Sequence, residues 1–148
     1  MRRIVTIDAN LAVSLVVPTP YSTVAAMQMA RWWKEGWGIF APMLWGYEVV
    51  SALRKAAVAK TISAQEADIG LEKVLGFKVL QVTPTPELHR SALQWAARLG
   101  QRVAYDASYL ALAESLSCEF WTADERLVNA ARRAGVAWAH WLQDTPVC

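Results

Sequence analysis

The run Ile4-Val5-Thr6-Ile7 has no alternation of apolar and polar side chains: every residue is β-branched and three of the four are apolar. A strand of this kind asks for cover on both faces, as in a parallel sheet, rather than one face on a core and one in water. It ends on a carboxylate, Asp8, and Ala9-Asn10 opens the next element. In open parallel sheets the carboxyl ends of the strands line the crevice where ligands bind. A buried strand that ends in an acid therefore suggests both a fold class and a place to look for a site.

The rest of the chain supports the fold class by alternating short apolar runs with helical periodicities. Leu11 to Val17 reads as one or two helical turns stopped by Pro18-Thr19-Pro20. Tyr21 to Lys34 reads as a helix ended near Gly36 and Gly38, and Trp37 to Ala41 as a second strand. A helix is expected from Pro42 to about Lys60, with Leu44, Trp45, Val49, Ala52, Leu53 and Ala56 on its apolar side. Ser63 and Glu66 have the capping-box spacing for a helix that closes at Gly76. Lys78 to Val82 is a third strand, and Thr85-Pro86-Glu87 opens a helix that ends near Leu99-Gly100. A helix over Tyr105 to Leu116, a strand over Glu119 to Thr122, a helix from Asp124 or Glu125 to Ala134 and a strand over Val136 to His140 complete the order, with a loose tail from Gln143. This is the pattern of an α/β three-layer domain built on a mostly parallel sheet. A length of 148 residues suits one domain, 1–148, and 55% hydrophobic residues leave ample material for a core.

A net charge of +2 does not by itself announce a nucleic-acid partner. Cys118 and Cys148 lack metal-ligand spacing and read as buried or idle thiols of a reducing compartment. Arg2-Arg3 before apolar residues imitates a secretory signal, but Asp8 and Asn10 interrupt the apolar core such a signal needs. No apolar run approaches the roughly 20 residues of a membrane span. A cytoplasmic protein with no membrane partner is the expectation.

Most of the thirteen acidic residues have ordinary explanations in turns or on solvated helix faces. Four do not: Asp8 and Asp124 each follow a buried-looking strand, Glu48 lies in the apolar run Met43 to Val50, and Asp106 opens an uncharged stretch that reaches Ala113. Singly, Asp8, Asp106 and Asp124 could be helix N-caps, and Glu48 a buried partner of Arg54 or Lys55. Together they fall at strand ends and helix starts of one sheet edge. Two unit charges 4 Å apart repel by ~4 kcal/mol at an effective dielectric of 20. A group of four must take up protons or bind cations. Oxygen-only ligation suits Mg²⁺ or Mn²⁺ rather than zinc, and such ions serve phosphoryl transfer.

The segments Ile7-Asp8-Ala9-Asn10, Tyr47 to Leu53, Tyr105 to Ala113 and Trp121 to Leu127, in that order, resemble the PIN-domain family, and within it the VapC toxin ribonucleases of VapBC toxin–antitoxin pairs. The resemblance covers nearly the whole chain. It implies a five-stranded parallel sheet of order 3-2-1-4-5 with the opening strand at its centre. It implies a Mg²⁺- or Mn²⁺-dependent endoribonuclease, an RNA substrate, a cognate antitoxin and a homodimer. By matching motif, Asp8, Glu48, Asp106 and Asp124 become the catalytic and metal-binding acids, with Asn10 and Thr122 in support. Glu125 adds a charge beside Asp124, which either reaches the metal or starts a helix.

Other readings fare less well. No glycine-rich turn follows the first strand, as a Rossmann domain requires. A phosphotransfer receiver would carry an acceptor aspartate at the third strand, where this chain has Val79 to Thr83. The serious rival is a PIN-like module without catalysis that acts by binding RNA or protein. Arg54, Lys55 and Arg126 could steer an RNA backbone or form a solvated face. Eight tryptophans are many for this length, and Trp32, Trp33 and Trp37 suit either a partner surface or the core.

Overall fold

In a computed structural model that describes residues 2–144, strand β1 (Ile4–Ile7) carries Val5, Thr6 and Ile7 with no exposed surface. Side chains alternate across a strand, so both of its faces are covered. The reason is its position: β1 lies between β2 (Gly38–Pro42) and β4 (Glu119–Thr122), paired in parallel to each. Strand β3 (Val79–Val82) flanks β2, and β5 (Ala139–Trp141) flanks β4. The sheet is parallel throughout, in the order β3-β2-β1-β4-β5, as the resemblance implies.

Seven helices connect the strands: α1 (Ala9–Val13), α2 (Ser22–Lys34), α3 (Leu44–Val58), α4 (Ala64–Leu75), α5 (Pro86–Leu99), α6 (Tyr105–Ser115) and α7 (Glu125–Arg133). Helix α6 is apolar nearly all round, with Ala107 and Tyr109 to Ala113 buried. It needs cover on every side and finds it between α5 and strands β1, β2 and β4. Helices α1, α3 and α4 pack against one another through Leu11, Ala12, Trp45, Val49, Leu53 and Val74. Ser63 and Glu66 form the expected capping box on α4, and Thr85 accepts the Leu88 N–H at the start of α5. Helix α5 closes where Gly100 turns left-handed at φ 67° and lets Gln101 N–H reach Ala96 O.

The departures lie at element ends. Pro42 closes β2 in register with Val82 instead of opening α3; at a strand terminus its missing N–H costs the ladder little. Lys78 has φ 61° and stands outside β3, because a left-handed residue cannot continue a strand. The last strand starts at Ala139, later than the sequence suggests, because Val136 N–H is spent on Ala131 O at the end of α7. Leu142–Asp144 forms a 3₁₀ turn that Arg132 pins through Asp144, so the tail is ordered at least that far. The rest of the expected tail, with Cys148, lies outside the described residues. Cys118 is a half-buried thiol in contact with Thr6. No helix among the described residues is long and apolar enough to cross a membrane.

The tryptophans are mostly structural. Trp32, Trp45 and Trp95 are buried. Trp32 meets Trp121 edge to face, and Trp33, though 41% exposed, packs on Phe77 and donates to its carbonyl. Trp37 donates to Glu35 and lies under Arg3.

Candidate active site

One open cleft of about 490 Å³ runs along the carboxyl edge of the sheet, and Asp8, Glu48, Asp106 and Asp124 all line it. Each acid arrives on a different element. Asp8 follows β1 and caps α1, accepting the Leu11 N–H at 2.9 Å. Its carbonyl receives the buried Trp45 indole at 3.3 Å, which fixes α3 against the end of β1. Asp124 follows β4 and caps α7, accepting from Arg126 N–H and Leu127 N–H. Capping thus holds for these two. It does not hold for Asp106: the cap position of α6 is Ala104, and Asp106 sits inside the first turn with Gln101 Nε2 at 3.4 Å.

Glu48, one turn into α3, is half-buried. Its partner is neither Arg54 nor Lys55 but Tyr109, whose hydroxyl donates to Oε1 at 2.5 Å. Tyr109 also lines the cleft, and neither it nor Gln101 stands out as a candidate in the sequence reading. The signal for Tyr109 lay in spacing: three residues after Asp106, it shares that residue's helix face. Nothing local in the sequence points to Gln101.

Thr122, fully buried at the end of β4, joins two of the acids. Its hydroxyl donates to Asp8 Oδ2 and its oxygen accepts the Asp124 N–H at 2.9 Å. Asn10 lines the cleft from α1 with an exposed side chain. Lys55 lines it too, from the far end of the α3 stripe that carries Glu48. Arg54 points instead to a shallow groove between α3 and α4 beside Asp68. Arg126 and Glu125 are exposed at the start of α7 and are not among the cleft-lining residues.

Burial sets the electrostatics. Asp8 is raised from 3.8 to about 7, first by loss of solvent, then by the charges of Glu48 and Asp124, against the lowering bonds from Thr122 and Leu11. Glu48 is raised by burial and by Asp106, and Asp106 by burial and by Asp124. Among the described residues no lysine or arginine lies within ion-pair distance of any of the four; the ion pairs present are elsewhere. The cleft therefore gathers carboxylates that repel one another, and its one basic lining residue, Lys55, lowers Glu48 from a distance without forming an ion pair, a setting in which a cation binds.

The donor set is all oxygen, which fits a hard divalent ion. Among the described residues no three Asp, Glu, His or Cys side chains stand close enough together to enclose an ion directly. An ion that keeps several of its waters and takes one or two carboxylates directly is compatible with that spacing.

A parallel sheet of this order with an acid-lined cleft at its carboxyl edge defines a class, and comparison with known proteins identifies it. The model of the PIN domain matches residues 5–133, and the chain belongs to the PIN-domain family, in its VapC type. It is 32% identical over 126 residues to ribonuclease VapC12 of Mycobacterium tuberculosis, covering 85% of this chain and 91% of that protein. It is 36% identical over 94 residues to ribonuclease VapC9 of the same organism, covering 64% of this chain and 71% of that one. Among solved structures, the crystal structure of PAE2754 from Pyrobaculum aerophilum superposes with a TM-score of 0.66 at 25% identity, over 97% of this chain and 94% of that one.

Proposed function

We propose that the protein is a metal-dependent endoribonuclease and the toxin of a toxin–antitoxin pair. The observation that carries this reading is the convergence of Asp8, Glu48, Asp106 and Asp124, from four separate elements, on one cleft with no lysine or arginine among the described residues at ion-pair distance. The names of the mycobacterial relatives support RNA as the substrate.

In this reading Asp8, Asp106, Asp124 and Glu48 hold Mg²⁺ or Mn²⁺, in part through water. The bound ion would activate a water and offset charge on the phosphate. The protein's own part is positioning. Thr122 orients Asp8, the α7 cap orients Asp124, and Tyr109 holds Glu48 in one rotamer. Lys55 offers a phosphate contact within the same cleft. The reading also carries a cognate antitoxin, a homodimer, a single domain over 1–148 and a cytoplasmic location.

The test is cleavage of single-stranded and structured RNA by the purified protein in Mg²⁺ or Mn²⁺, with EDTA as control. Asp8→Asn and Asp106→Asn should each abolish cleavage with the fold kept. Cleavage that survives both substitutions, or that EDTA leaves untouched, refutes the assignment. RNA binding without cleavage would make the chain a binding module instead.

A further inference from the structure

The chain has four tyrosines, and two of them are committed internally. Tyr21 packs edge-on against Trp141, and Tyr109 lies against Phe120 with its hydroxyl on Glu48. Tyr47 and Tyr105 have no such partners among the described residues, and they are the most exposed cleft-lining rings, at 75% and 59%. They also stand in matched places. Tyr47 directly precedes Glu48 in the first turn of α3, and Tyr105 directly precedes Asp106 at the start of α6. Two open aromatic faces therefore flank the acids from two different helices.

Scattered surface tyrosines are ordinary, but this pair shares its cleft with a cation. On α3, Tyr47, Glu48, Ser51 and Lys55 recur at helical spacing and all line the cleft. Tyr47 and Lys55 are eight residues apart, about 12 Å along a helix, which leaves room for a short stretch of strand between them. A positive group that meets a backbone, beside aromatic faces that accept bases, is the physical recipe for holding a single strand. A base inside a duplex has both faces covered by its neighbours and cannot use such rings.

We propose that Tyr47 and Tyr105 are base-stacking, specificity-determining residues that make the cleft select unpaired RNA nucleotides next to the acidic site, with Lys55 on the strand's backbone. This inference rests on the reading of the cleft as an RNA site. It adds which residues grip the bases and why a duplex is refused. Losing one aromatic platform should weaken binding about tenfold, which corresponds to about 1.4 kcal/mol.

The experiment uses a ten-nucleotide RNA with one 2-aminopurine, whose fluorescence falls when it stacks, either single-stranded or annealed to its complement. Binding is followed in EDTA with the full chain carrying Asp106→Asn, so that the strand stays intact and one repelling charge is gone. Tyr47→Ala and Tyr105→Ala, each placed in that background, should weaken single-strand binding about tenfold and reduce the quenching. Tyr47→Phe and Tyr105→Phe should retain both, since the ring and not the hydroxyl is the platform. The duplex should bind at least tenfold more weakly than the single strand. Melting curves of all variants separate a lost platform from a lost fold, and the Phe variants keep the comparison valid if an Ala variant melts early.

Affinity and quenching unchanged by both Ala substitutions, a duplex bound as tightly as the single strand, or no binding of the RNA at all would each overturn the proposal. So would Ala variants that bind RNA normally but lose a co-expressed protein partner, since the rings would then belong to a protein interface. A parallel Mn²⁺ assay with the wild-type chain distinguishes the two readings. Cleavage without tyrosine dependence removes only the stacking proposal. Tyrosine-dependent binding without cleavage removes only the hydrolytic function.

Discussion

The Thr122 hydroxyl donates to the Asp8 carboxylate across the centre of the sheet, between the ends of the adjacent strands β1 and β4. The same oxygen accepts the Asp124 N–H, so one buried side chain sets the position of two acids. The bond also holds Asp8 down against the burial that raises it.

Thr122→Val keeps the shape of the side chain and removes both bonds. It should destabilise the protein by about 1–3 kcal/mol, the cost of leaving buried polar groups unpaired. Asp8 should titrate at a still higher pH, and RNA cleavage at neutral pH should fall more than at pH 9. Urea unfolding and a pH–rate profile check this, and a variant as active and as stable as wild type at pH 7 would contradict it.

The raised Asp8 makes the stability of the metal-free protein depend on pH in a definite direction. Between 3.8 and about 7 the native state keeps the Asp8 proton while the unfolded chain releases it. The unfolded state then binds fewer protons, so stability falls as pH rises through this window and levels off above it. A shift of this size corresponds to roughly 4 kcal/mol as an upper value. Glu48 and Asp106 are raised as well and act in the same direction. In EDTA, the wild type should lose more stability between pH 4.5 and 8 than Asp8→Asn does. Equal urea midpoint changes for the two proteins would show that Asp8 is not the group responsible.

Asp106 and Asp124 should differ when each is replaced by alanine. Asp124 caps α7 through two N–H groups, and losing a cap costs about 1 kcal/mol, or roughly 2–4 °C of melting temperature for a chain of this size. Asp106 makes no cap, and its removal relieves repulsion. In EDTA, Asp106→Ala should melt at or above the wild-type temperature and Asp124→Ala below it. Mn²⁺ should raise the melting temperature of the wild type by linkage and that of Asp106→Ala much less. A full Mn²⁺ shift in Asp106→Ala would remove that residue from the proposed metal site.

The basic residues should separate by position. Lys55→Ala should weaken RNA binding and lower the salt dependence by about one phosphate contact. Arg54→Ala, whose side chain lies in the α3–α4 groove, should leave both nearly unchanged. Binding titrations across a range of salt concentrations decide between them, and equal losses for the two variants would mean that the strand leaves the cleft along α4.

The sequence by itself determined the parallel α/β architecture, because Ile4 to Ile7 cannot tolerate a wet face and the later runs alternate at strand and helix periods. It also singled out the four acids that the fold brings to one cleft, since each stands at a strand end, a helix start or in an apolar run where a lone carboxylate is out of place. The capping box at Ser63 and the stop at Gly100 were equally legible, because their chemistry is local. Roles that depend on distant neighbours were not. Whether Asp106 caps its helix, which partner Glu48 takes, and whether Trp32 faces a partner or the core were decided only when α6, α3 and the sheet packed together. The same holds for Lys55 and Arg54, which are adjacent in the chain but lie on different sides of α3. Helix spacing places side chains on faces, but only the surrounding elements determine whether a face meets the cleft, the core or water.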